Sequence, residues 1–145
     1  MSNAPQTAAR PKSPPRFAFM KFVVRDLDAM VAFYETVLGL VVTRKIDVPS
    51  ALEVVLSPAA DDTGFSLVLY HHKDGREISP GTLHGPLAIF VADTDVAYAS
   101  TLAHGGTSQA APYTVSGIRV AFVADPEGHA LEFLSQPSVA QPSVA

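Results

Sequence analysis

Shifting the chain by 67 positions lays Asp26 on Asp93, Asp28 on Asp95 and Gly39 on Gly106. Each trio carries the same punctuation: an aspartate suited to cap a helix, an acid in the first turn, and a glycine where the chain must leave the helix. Few folds tolerate this constraint. In 145 residues it calls for two alike units that share one core, a size at which roughly 68–70% of the unfolded surface is buried without staples.

The strings around the trios supply the elements. Phe17–Val24 is dense in aromatic and β-branched residues and reads as a strand. Leu27, Met30, Val31, Tyr34 and Leu38 then recur at helical spacing, predicting a helix over 27–38 whose aromatic pair Phe33-Tyr34 packs in the core. Strands follow at 40–46, 52–57 and 65–71. The second unit replays the order: a strand at 87–91, a helix at 95–104 stopped by Gly105-Gly106, and strands near 108–113, 117–124 and 129–134. The last two are joined by the reverse turn Asp125-Pro126-Glu127-Gly128. The fold class is α+β, two β-α-β-β-β modules at 17–71 and 86–135 joined by a linker at 72–85. Residues 1–16, with four prolines, three basic residues and no acid, and 136–145, a duplicated Gln-Pro-Ser-Val-Ala, read as disordered ends.

Composition narrows the function. Without cysteine there is no disulfide framework, zinc ribbon or thiol catalysis. A net charge of −4, falling to −7 without the basic leader, is the wrong sign for gripping nucleic acid. Apolar runs are only a few residues long, so no membrane span is expected, and without a secretory signal the expected location is cytoplasmic. Two curved sheets, each covered by a helix on one face, would leave their other faces to line a small-molecule trough.

The strings VRDLDAMVAFYETVLGL, DTDVAYASTLAHGG and DPEGHALEFL resemble the vicinal oxygen chelate superfamily, which includes glyoxalase I, extradiol dioxygenases and the bleomycin and fosfomycin resistance proteins. Gly81–Ile89 is similar to the stretch that opens the second unit of bacterial glyoxalase I. The resemblance implies paired βαβββ modules in a curved mixed sheet, a homodimer, and in the metal enzymes one divalent ion held from four strand positions. Those positions fall here on Phe19, Val68, Pro86 and Glu132. Phe, Val and Pro side chains have no lone pair to give, and one carboxylate does not hold a catalytic ion. No cofactor and no metal are therefore expected. A relocated site built from His84 with Glu132 would need further donors, and the histidines read as surface and loop residues.

Glu132 among apolar neighbours is the candidate catalytic group, a general base. Phe19, Lys21, Val68, Tyr70, Pro86 and Arg119 are the candidate ligand contacts, with Lys21, Tyr70 or Arg119 able to pair with Glu132. The leading expectation is a metal-free module of bleomycin-resistance type that binds a small apolar or aromatic molecule. The alternative is a glyoxalase I-like lyase or isomerase acting on a small carbonyl or thiol-adduct substrate, with Glu132 as base.

Overall fold

Asp26 and Asp93 each accept a backbone N–H three residues on, from Ala29 at 3.0 Å and from Val96 at 3.2 Å. These caps start α1 (Leu27–Leu38) and α2 (Thr94–Ala103) in a computed structural model that describes residues 12–61 and 64–137. Before α1 runs β1 (Phe19–Val23), and after it β2 (Val41–Val48), β3 (Ala51–Ser57) and β4 (Ser66–His72). The second module repeats the order with β5 (Leu87–Phe90), α2, β6 (Thr107–Val115), β7 (Ile118–Ala124) and β8 (Ala130–Ser135). Each module is one four-stranded sheet, in the orders β1-β4-β3-β2 and β5-β8-β7-β6. In each, the first strand pairs in parallel with the last and all other pairs are antiparallel.

Two strands outrun the lengths expected from sequence. β2 continues to Val48 because Pro49-Ser50 forms the tip of a hairpin that pairs Val48 with Ala51. β6 continues through Pro112, which sits on an edge strand where the missing N–H breaks no ladder; the register shifts there between Ala110 and Tyr113. Of the expected disordered ends, residues 1–11 and 138–145 lie outside the described residues.

α1 buries Met30, Phe33 and Tyr34 against Val54, Leu56, Leu67 and Leu69 of its own sheet. Fully burying side chains of this size contributes about 1.5–3 kcal/mol each. The same cluster runs on into Val123, Leu131 and Phe133 of the second sheet, so the modules share one core. α2 brings smaller residues, Ala97 and Thr101. The repeated glycines do different work. Gly39 has φ 66 and is the left-handed stop of α1, whereas after α2 that conformation falls on Gly105 with φ 93. Gly106 is needed for space, because a Cβ there would lie 2.7 Å from the Ala124 carbonyl oxygen.

A polar latch crosses between the modules at the turn before β8. Glu127 accepts the backbone N–H groups of Arg25 (2.6 Å) and Asp26 (2.8 Å). Buried Asp125 accepts the Tyr34 hydroxyl at 2.6 Å and the backbone N–H groups of Glu127 and His129. The His129 ring stacks on Phe22 with centroids 4.5 Å apart, its Nδ1 2.8 Å from Asp125 Oδ2 and its Nε2 2.8 Å from the Val23 carbonyl. Both ring nitrogens thus face acceptors, which suits the imidazolium. Burial alone pulls the His129 pKa down, but hydrogen bonding and charge from Asp125, with Val23 and Glu127, outweigh it, and the net shift is upward. Burial first, and then Asp125, push the Tyr34 hydroxyl well above its ordinary range. His129 is therefore not the surface or loop histidine expected from sequence. It is half-buried, because the module junction gives its ring a stacking partner and two acceptors.

Candidate functional site

In the first module, strand alternation sets Phe19 and Lys21 on the sheet face away from α1, beside Ser66, Val68 and Tyr70 of β4. β3 contributes Glu53, Val55 and Ser57 to that face, since Glu53 pairs with Tyr70 and Val55 with Val68. Phe19, Lys21, Glu53, Val55 and Val68 line a cleft of about 460 Å³ over the sheet. The Lys21 ammonium lies 2.5 Å from Glu53 Oε1, with the Tyr70 ring 5.1 Å away and the Phe19 ring 5.7 Å away. Ser57 and Ser66 share a hydrogen bond of 2.8 Å.

The second module places Glu132 by the same geometry. Lys21 stands opposite Val68 in the first sheet, and Ala88 stands opposite Glu132 in the second, each pair two residues along from Phe19 and Pro86. Val68 and Glu132 are thus equivalent positions on β4 and β8. Glu132 is half-buried between Ala88 and Phe122 and, among the described residues, makes no hydrogen bond or ion pair.

The partners considered for Glu132 are engaged elsewhere. Lys21 is held by Glu53. Tyr70 packs edge-on against His72 at 4.8 Å. Arg119 points to the opposite face of β7, where its guanidinium forks onto Asp95 of α2 at 2.9 and 2.8 Å. That bidentate pair lowers the Asp95 pKa and raises that of Arg119, in each case chiefly through their mutual hydrogen bonds. Sequence reasoning missed Glu53, although it is the lone charge in the apolar run Ala51–Leu56 and alternation assigns it to the open face.

Pro86 and His84 line a second cleft of about 620 Å³ at the module junction, with Met20, Val23, Leu83 and His129. Phe19 and Val68 therefore line one cleft and Pro86 another. Three of the four positions at which the resemblance implies metal ligands carry no donor. Among the described residues no three His, Asp or Glu side chains gather where an ion could be held. These residues do not fit a divalent metal. No helix among the described residues is long and apolar enough to cross a membrane.

Two mixed βαβββ modules with a shared core, each with an open sheet face, define an α+β class of paired-module proteins. The profile of the Glyoxalase/Bleomycin resistance protein/Dioxygenase superfamily matches residues 16–133, and the chain belongs to that family. It is similar to a lactoylglutathione lyase of Arabidopsis thaliana, 28% identical over 131 residues, 88% of this chain but only 46% of the relative. A lactoylglutathione lyase of Haemophilus influenzae is 29% identical over 119 residues, 79% of this chain and 88% of that one. Among solved structures, glyoxalase I of Zea mays superposes with a TM-score of 0.74 at 27% identity, covering 82% of this chain and 44% of that one. Glyoxalase I of Leishmania major gives 0.73 at 29% identity, covering 84% and 87%.

Proposed function

We propose that the protein is a glyoxalase I-like lyase or isomerase that acts on a small carbonyl compound or thiol adduct without a divalent ion at the family's metal positions. The observation that carries this reading is Glu132: a half-buried carboxylate, without a hydrogen bond or ion pair among the described residues, on a strand face shared with Ala88 and Phe122. A carboxylate in such a setting can take a carbon-bound proton from beside a carbonyl and return it to the neighbouring carbon. The relatives named lactoylglutathione lyase favour this chemistry over simple sequestration.

The reading includes a homodimer. The cleft over the first sheet is lined by Arg16 and first-module residues, with none from the second module, while Phe90, two residues along β5 from Glu132's partner Ala88 on the second sheet's open face, is 79% exposed. A trough holding both faces is completed when one copy's first module meets the other copy's second. Cytoplasmic residence belongs to the same reading.

A second reading, sequestration of an apolar or aromatic molecule, is favoured by the apolar side chains Phe19, Val68 and Pro86 at three of the four positions. One assay separates the two. Chelator-treated protein is given the glutathione hemithioacetal of methylglyoxal in deuterated water, and thioester formation and deuterium uptake are followed. Turnover that falls about 100-fold or more in Glu132→Gln, the usual worth of a general base, supports the lyase. Saturable binding without exchange supports sequestration, and turnover unchanged in Glu132→Gln refutes the base.

A further inference from the structure

We propose that the first-module cleft receives a small carboxylate with an apolar or aryl body, its carboxylate taken by the Lys21 ammonium. This rests on the reading above and names the substrate class within it: a carbonyl compound that also carries an acid.

Three observations support it. First, Lys21 is a fixed cation. A lysine stem is ordinarily mobile and loses rotamer freedom when it grips a ligand. Here Glu53 and the rings of Phe19 and Tyr70 already hold the ammonium. Glu53, whose side chain is 12% exposed, is buried against that charge, while the Lys21 side chain stays 43% exposed with donors left for a ligand oxygen.

Second, the cleft has the opposite sign to the chain. Its charged lining includes Arg16 and Lys21 against Glu53, in a protein of net charge −4. A concave site lined by one sign of charge concentrates ligands of the other. Glu53 beside the ammonium would repel a second negative charge, which favours a monoanionic carboxylate over a phosphate dianion.

Third, apart from Ser66 the rest of the lining is apolar, with Phe17, Phe19, Phe65 and Val68, and the cleft holds about 460 Å³, within the size range of small-ligand sites. The ammonium stands opposite Val68 and two residues along β1 from Phe19, the two first-module positions that lack metal donors. A side-chain cation thus sits on the face where the family's metal enzymes hold an ion.

Benzoylformate and its neutral amide, titrated into the isotope-labelled full chain and followed by amide NMR shifts, test this without turnover. The acid is expected to bind at least about tenfold more tightly than the amide, as for a charge-assisted contact. Lys21→Met and Lys21→Gln should each erase that preference while leaving amide affinity within about twofold. Equal affinity for acid and amide, a preference that survives in a folded Lys21 variant, or no saturable binding by about 10 mM would each overturn the proposal. Loss of the catalytic-base reading alone would leave these binding results unchanged.

Discussion

Tyr34→Phe isolates one bond of the module latch. The ring is fully buried at the foot of α1, and its hydroxyl donates at 2.6 Å to Asp125, itself 2% exposed. Phenylalanine keeps the ring and its packing on Phe22 and Phe33, so no cavity larger than the hydroxyl opens. A hydrogen bond to a charged acceptor is worth about 1.5–3 kcal/mol net. Asp125 keeps two backbone N–H donors and the His129 ring, so it is not stranded and the loss belongs at the lower end, about 1.5–2 kcal/mol. At about 2–4 °C per kcal/mol for a chain of this size, Tm should fall by about 3–8 °C. Urea unfolding followed by circular dichroism, with scanning calorimetry, measures both. Tyr98→Phe is the control, because its hydroxyl bonds Ser108 in the open. A Tyr34→Phe loss below about 0.5 kcal/mol, or no larger than the control's, would show that the latch bond contributes nothing beyond an ordinary surface contact.

The His129 pKa is raised in the folded state, so its stabilisation is complete below the unfolded value near 6.5 and fades as pH rises through the folded value. The stability gap between wild type and His129→Gln, measured by urea midpoints, should be larger at pH 5.5 than at pH 8.5; a gap that widens toward alkaline pH contradicts the latch. Co-expressed Lys21→Met and Glu132→Gln chains test the shared trough: each alone is inactive, and random pairing should restore about a quarter of wild-type turnover if each trough takes one module from each copy. No recovery in verified mixed dimers would place the trough within one chain. Gly106→Ala should cost more than the roughly 1–2 kcal/mol expected for Gly39→Ala, because its Cβ would meet the Ala124 backbone oxygen, whereas at Gly39 only the positive φ opposes a side chain; equal losses in denaturant titrations would mean the strand yields.

The repeat of Asp26 and Gly39 made the fold legible, since caps and stops are local chemistry that the chain writes in order. Which residues of a strand share a face was legible too, because alternation along β1 and β4 follows from sequence spacing alone. What stayed hidden depends on neighbours distant in sequence. Arg119 reads as a ligand contact or a partner for Glu132, but the strand face it occupies meets α2, and Asp95 lies within its reach. His129 opens the last strand in sequence, but its place at the module junction is hidden because neither Phe22 nor Val23 is near it in the chain. Glu53 was passed over because a charge within an apolar strand looks like a solvent position until Lys21 is placed beside it.

The duplication explains the frame, and its breaking explains the chemistry. Under the 67-residue shift Tyr34 falls on Thr101, which bonds the Ala97 carbonyl of its own helix, and Asp125 falls on Pro58, which has neither carboxylate nor N–H. The second module's turn therefore grips the first, with no counterpart in the reverse direction among the described residues. The open faces have diverged in the same way. Lys21 falls on Ala88 and Glu53 on Val120, so the first sheet alone carries the ammonium and its holding carboxylate. At the equivalent positions Val68 and Glu132, the second sheet alone carries the acid. A symmetric pair of modules suits an ion that takes like donors from both sides. Here one open face carries an ammonium and the other a carboxylate, the division of labour that the proposed binding of an anionic substrate and removal of its proton would call for.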